Sequence, residues 1–224
     1  MVQSSVIMPR PEEALPGRAE PIVTDVNHQF SRRLLKGPYP RGMSKAVFAM
    51  GCFWGVERLF WQTRGVWVTA AGYTGGYTPN PTYEEVCTGG TGHAEAVQII
   101  YDPQVVSYSE LLNRFWENHD PTTGMRQGND EGTQYRSAIF YTSPKQREIA
   151  NWSKGVYAQA LRDSANSHHD ITTEILPMGP FYFADSKHQG YLLKNPLHYC
   201  GLCSTGTSFP KQPAPDDSEG MCAG

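Results

Sequence analysis

Between Lys45 and Leu176 the chain alternates short apolar runs with capped helical patterns, and that alternation limits its fold more than any other feature. Lys45-Ala-Val-Phe-Ala-Met50, closed by Gly51, has the length and composition of a buried strand. Val56, Leu59 and Phe60 then recur at the spacing of one helix face, and Gly65 stops this helix after Gln62. Val66 to Ala70 and Ala96 to Tyr101 are β-rich runs. Between them lies a loop dense in Gly, Pro and Tyr, from Gly72 to Gly92, and a loop of that length points to function. Ser107-Tyr-Ser-Glu110 has the capping-box spacing ahead of Leu111, Leu112, Phe115 and Trp116. Ser137 to Thr142 reads as a strand, Ser143-Pro144 opens a helix to about Arg162, and Ile171 to Leu176 alternates into a further strand. The order strand, helix, strand, strand, helix, strand predicts an α+β fold. Its expected form is a ferredoxin-like two-layer α/β sandwich built on a split βαβ core, with a helix and a strand appended.

Around that core the chain divides into three. Residues 1–44 carry Pro9, Pro11, Pro16, Pro21, Pro38 and Pro40 with no apolar period, and read as an extended N-terminal arm that wraps a surface. Residues 45–184 form the α/β domain, and 185–224 lose all apolar period and read as a long C-terminal coil. Nineteen Lys and Arg against 22 Asp and Glu give a net charge of −3, which argues against a generic grip on nucleic acid or an acidic membrane. No window reaches the roughly 20 apolar residues of a membrane-spanning helix, and the first 30 residues lack the apolar core of a signal peptide, so a cytoplasmic chain is expected. The five cysteines, 52, 87, 200, 203 and 222, are too few for a secreted disulfide scaffold. Three of them crowd into the last 25 residues, which in a reducing compartment suggests metal binding or redox chemistry.

Gly51-Cys52-Phe53-Trp54-Gly55 sits where a buried strand turns into a helix. Free N–H groups at a helix N-terminus favour an anion, so Cys52 is expected to have a lowered pKa and thiolate character, although a small buried hydrophobe is the commoner role of a cysteine. Flanking glycines permit a tight turn and the close approach of a substrate, and one of the adjacent aromatics is left to wall a pocket. The tyrosines after Gly72 suit either a cavity lining or packing over the sheet. Glu95, at the mouth of a strand, is either solvent-facing or a proton donor of raised pKa. Zinc is not expected: His168 and His169 are adjacent, His188 and His198 lie in coil, and no helix carries a His-x-x-x-His pair. Cys200-Gly-Leu-Cys203 has C-x-x-C spacing but lies in coil, where such cysteines can travel to resolve an oxidised thiol elsewhere.

Gly51-Cys-Phe-Trp-Gly55, the run Ala71 to Tyr83, Thr91-Gly-His-Ala-Glu95, Phe115 to Asp120, Gly128-Asn-Asp130, Gly132 to Ser137 and Tyr191 to Pro196 together closely resemble the A-type methionine sulfoxide reductases, from about residue 45 to 201. The resemblance implies that Cys52 attacks the sulfoxide sulfur while Glu95 protonates the departing oxygen. Tyr83 and Tyr135 would be donors to that oxygen, Phe53 and Trp54 would hold the S-methyl group, and Asp130 would arrange the pocket through hydrogen bonds. Cys200 would resolve the resulting sulfenic acid as a disulfide, and thioredoxin or a similar dithiol would recycle the enzyme, with free and protein-bound methionine sulfoxide as substrates. No metal, flavin or nicotinamide is implied, and a monomer is expected. Many relatives carry a second recycling cysteine about eight residues after the first, but Ser208 and Phe209 stand there, leaving Cys203 and Cys222 as the tail candidates and Cys87 as a bystander. The prolines at 210, 213 and 215 with Asp216-Asp217 suggest a mobile, exposed terminus that lets Cys222 take over the disulfide. Two other readings compete: a thiol hydrolase or acyltransferase with His93 or His188 as base to Cys52, and a noncatalytic thiol or metal module at Cys200 and Cys203.

Overall fold

The central strand of the computed structural model is β1, Ser44–Met50, and it is central because its apolar run is buried on both faces. The structure describes residues 4–164 and 170–215. β1 lies antiparallel between β3, Ala94–Tyr101, and β6, Ser137–Tyr141. β2, Val66–Thr74, pairs antiparallel with the far side of β3, and the short β8, Tyr182–Phe183, closes that edge. β7, Glu174–Pro177, adds parallel to β6, so the mixed six-stranded sheet runs β7-β6-β1-β3-β2-β8. Alternation along the strands decides the layers. Ala46, Phe48 and Met50 join Val97, Ile99 and Ile139 in the main core, under helices α1, Phe53–Trp61, α3, Tyr108–Glu117, and α4, Pro144–Asp163. Val47 and Ala49 face the other way, onto Ala94, Ala96, Ala138 and Phe140.

The helices begin where their caps dictate. Ser107 accepts the N–H of Glu110 while Glu110 reaches back to Ser107, and Ser143 accepts from Gln146 with Pro144 following. The Gly72–Gly92 stretch is less of a loop than its composition suggests. β2 continues through Thr74, and a short helix α2, Tyr83–Cys87, starts at a capping box between Thr82 and Glu85. A two-strand antiparallel ribbon, β4, Arg126–Gln127, and β5, Asp130–Glu131, stands apart from the main sheet. Helix α1 begins three residues before the expected Val56, so Phe53 and Trp54 belong to its first turn.

The arm before β1 holds one 3-10 turn, Pro11–Glu13, yet buries His28 and Leu35 completely. From Asp185 to Pro215 the described chain is irregular apart from α5, Tyr191–Lys194. The exposed stretch expected from Pro210 onward follows directly on a buried anchor, Phe209. That ring is buried in the main core, stacked on Tyr157 at 6.2 Å, and its N–H donates to Glu117 Oε1 at 2.8 Å. A large aromatic does not stay in water when a core edge is open to it. Pro210 and Pro213 are exposed, while Asp216, Asp217 and Cys222, like His168 and His169, lie outside the described residues. Among the described residues no helix is long and apolar enough to cross a membrane.

Candidate active site

Cys52 is the N-cap of α1, delivered there by the end of β1 and by Gly51, whose φ of +90° is natural only to glycine. A Cβ on Gly51 would stand 2.5 Å from Gln127, so side chain and backbone both demand glycine. The thiol is free and 7% exposed. Its pKa is raised well above the ordinary value, by burial first and by the Glu95 charge next, with Asp130 and Cys200 adding to both. This corrects the expectation of a lowered pKa. The amide of Trp54 does favour the thiolate, but one N–H is outweighed by desolvation and flanking carboxylates.

Glu95 points from β3 into the same space and is 1% exposed. Its Oε2 accepts the N–H of Phe53 at 3.0 Å, whereas Oε1 is buried without a partner. Burial pushes its pKa up to about 8, with Asp130 adding to the rise, so the carboxyl is protonated at neutral pH and has a proton to donate. Three further buried polar atoms lack partners nearby: Tyr73 Oη, Asp130 Oδ2 and His188 Nε2. Unpaired buried polar atoms are costly, and their collection around Cys52 and Phe53 marks a place built for a polar ligand atom.

Aromatic rings wall this space. Phe53 packs against Tyr73 at 5.7 Å, Tyr83 at 6.5 Å and His188 at 5.6 Å. Trp54 stacks on Tyr191 at 3.8 Å and donates its indole N–H to His188 Nδ1 at 3.1 Å. Tyr83 and Tyr135 stay protonated, held there by burial and by Glu95. Cys87 ends α2, the short helix that Tyr83 begins, and burial pushes its thiol up to about 11. Neither Tyr73 nor His188 has a role in the reductase expectation: Tyr73 enters only among the tyrosines after Gly72, and His188 only as the base of the competing hydrolase. Tyr73 stands directly across from Glu95 in the β2–β3 register, a pairing visible only once β2 is extended past Ala70. His188 comes from irregular chain, and no local pattern announces it.

The hydrogen bonds of the two candidate histidines weigh against the competing histidine-base reading. His93 accepts the N–H of Gly76 on Nδ1 at 3.0 Å and bonds Thr78 O through Nε2 at 2.7 Å, so both nitrogens are committed. His188 gives Nδ1 to Trp54, and burial lowers its pKa to about 4.

The tail reaches the site at Cys200. A Cβ on Gly55 would stand 2.0 Å from the Cys200 carbonyl oxygen and 2.9 Å from its Sγ, so the approach that Gly55 permits is by the chain's own second thiol. Gly201, at φ +75°, turns the backbone against Cys52 and Asp130. Arg58 donates from Nη2 to Cys200 Sγ at 2.9 Å. Cys203 is exposed, its Cβ near Gly128, and Cys222 is not among the described residues. Among the described residues no group of three or more His, Cys, Asp and Glu side chains is placed to hold a metal ion.

A buried thiol beside a protonated acid, with a second free thiol laid on the same helix turn, is the equipment of a thiol-dependent oxidoreductase. The sequence profile of the peptide methionine sulfoxide reductases matches residues 44–212. Peptide methionine sulfoxide reductase MsrA 1 of Caulobacter vibrioides is 61% identical over 91% of this chain and 93% of its own. MsrA of Methylobacterium is 57% identical over 91% of each. Methionine sulfoxide reductase A of Corynebacterium diphtheriae superposes with a TM-score of 0.79 at 41% identity, covering 88% of this chain and all of that one. The chain belongs to the peptide methionine sulfoxide reductase family, in its A type.

Proposed function

We propose that the chain reduces the S epimer of methionine sulfoxide, free and in proteins, through the pair Cys52 and Glu95. One observation carries this reading: a protonated, buried carboxyl whose Oε1 has no partner, beside a buried thiol at the start of α1. A sulfoxide oxygen fills that vacancy in hydrogen bonding and leaves sulfur readily only when protonated. Tyr83 and Tyr135 donate to the same oxygen. Phe53 and Trp54 hold the methyl group, and Asp130 arranges the pocket through hydrogen bonds. As Sγ of Cys52 meets the sulfoxide sulfur, the thiol proton passes by way of Glu95 to the oxygen. The products are the thioether and Cys52 sulfenic acid: the substrate sulfur gains two electrons, Cys52 loses two, and no net proton is consumed.

Cys200 then attacks the sulfenic sulfur, forming the Cys52 to Cys200 disulfide and releasing water. A second exchange moves the bridge outward to Cys222, with Cys203 as the competing acceptor, and thioredoxin or a similar dithiol restores the thiols. The enzyme works as a cytoplasmic monomer without cofactor. The strand order β6-β1-β3-β2, antiparallel throughout, supports the ferredoxin-like split βαβ description of the core. The test is incubation with a dithiol and each epimer of a protected methionine sulfoxide. Thioether from the S epimer alone is expected, and equal rates on both epimers would contradict a pocket that fixes oxygen and methyl separately. Mass mapping after one equivalent of substrate identifies the final bridge.

A further inference from the structure

The Cys200 sulfur has a partner whose chemistry is not accounted for by substrate reduction. Arg58 lies three residues after Gly55, on the same face of α1. Gly55 opens the groove into which the Cys200 backbone sinks, and one turn further on the Arg58 guanidinium donates to Sγ at 2.9 Å. A guanidinium is permanently charged and can only donate, so the sulfur is the acceptor. Such a bond strengthens as negative charge gathers on the acceptor. Cys200 itself lies in irregular chain, followed by a glycine in the left-handed region, so no helix or strand of its own aims it.

We infer that Arg58 is a catalytic residue of the disulfide-forming step, holding the Cys200 sulfur over α1 and stabilising its charge as it attacks Cys52. The inference rests on the proposed role of Cys200 as the resolving thiol. In the step, Cys200 loses its proton and forms the S–S bond to Cys52 while the S–O bond of the sulfenic acid breaks. The hydroxyl leaves as water with that proton, Cys52 is reduced and Cys200 oxidised. Arg58 keeps its proton throughout. It plays no part in the earlier attack on the sulfoxide, where its partner is not yet a reactant.

The experiment is a single turnover of the full chain with one equivalent of S-epimer substrate and no external thiol. Three quantities are followed: thioether released, Cys52 sulfenic acid trapped by dimedone, and the Cys52 to Cys200 bridge by peptide mass mapping. Arg58→Gln should release thioether within about twofold of the wild-type rate, which also certifies the fold. Bridge formation should slow by about tenfold or more, with trapped sulfenic acid rising to match. Arg58→Lys, which keeps the charge but loses the planar fork, should recover part of the rate. A bridge forming at the wild-type rate in Arg58→Gln overturns the inference alone. A wild-type chain that yields thioether but no disulfide containing Cys200, whether to Cys52, Cys203 or Cys222, removes the resolving role of Cys200, and the inference with it.

Discussion

The N-terminal arm is fastened to the backbone of the loops that carry the site tyrosines, whereas the C-terminal coil is fastened to side chains of three helices. Ser5 alone donates to Thr88 O and accepts from Thr133 N, joining the segment after Tyr83 to the turn that holds Tyr135. Leu15 and Arg18 continue the stitching to Gly90 and Pro79. The coil instead meets Arg58 on α1, Glu117 on α3 and Tyr157 on α4, the last through Thr205 and Thr207. The arm's backbone pairs are indifferent to side-chain identity, although Arg18 adds a side-chain pair to Glu85, while the coil's attachments named here all end on particular side chains. The arm therefore suits a fixed frame, and the coil suits a segment whose thiol must change partners.

The sharpest test of that division is Cys200→Ser. Without external thiol it should release one thioether per chain at a normal rate and leave Cys52 as the sulfenic acid, with thioredoxin-dependent turnover lost, because serine cannot form the bridge. Sustained turnover with thioredoxin would give the coil no chemical duty. Glu95→Gln, in the sheet that both segments cover, should slow the first step by about 10² to 10⁴. The wild-type first step should hold steady up to about pH 8 and fall above it, as Glu95 loses the proton it donates. The stability sign follows from the same shift. Glu95 holds its proton more tightly folded than unfolded, so stability should decline as pH rises from about 4.5 through about 8. An upward limb in either profile across that window would deny Glu95 the role of acid.

Buried aromatic and aliphatic anchors separate the two segments further. Leu35→Ala in the arm and Phe209→Ala in the coil should each cost about 3 kcal/mol in denaturant unfolding, since both side chains are buried. Only the second should also slow bridge formation, because Phe209 pins the coil nine residues past Cys200. Equal slowing in both would mean that the arm, too, controls the resolving thiol.

The strands and capped helices were legible because hydrophobic period and cap chemistry are local, as Ser107 with Glu110 shows. The same Thr-x-x-Glu signal at Thr82 and Glu85 was there to be read, but the surrounding Gly and Pro hid a five-residue helix. Cys52 and Glu95 stand out at strand ends, but position left each with a commoner structural role, and only the family resemblance paired them. The thiol's raised pKa was not legible, because it depends first on burial and then on two carboxylates that reach it from β3 and β5, none of which a local pattern records. The aromatic wall from His188 and Tyr191, the donor at Arg58 and the burial of Phe209 are all long-range packing events. No spacing in the sequence encodes them.

The smallest expected effect bears on the arm itself. Arg18 makes a bidentate pair with Glu85 at 2.7 and 2.9 Å and donates to Asn80 O, while Asn80 returns hydrogen bonds to Arg18 O and Ala19 O. Glu85 is also the residue that caps α2, whose first position is Tyr83. Freeing Glu85 leaves the capping box intact, so Arg18→Ala should loosen α2 without unfolding it. Because Tyr83 is one of several donors proposed for the oxygen, the loss should stay below about tenfold in kcat/KM, smaller than the roughly 10² that a badly misplaced group can cost. High salt should mimic it in the wild type, as the pair is partly exposed, and should have little further effect on the variant. A variant unchanged in kcat/KM and in salt response would reduce the arm to a cover, and one crippled a hundredfold would make it part of the machinery that now rests with the coil.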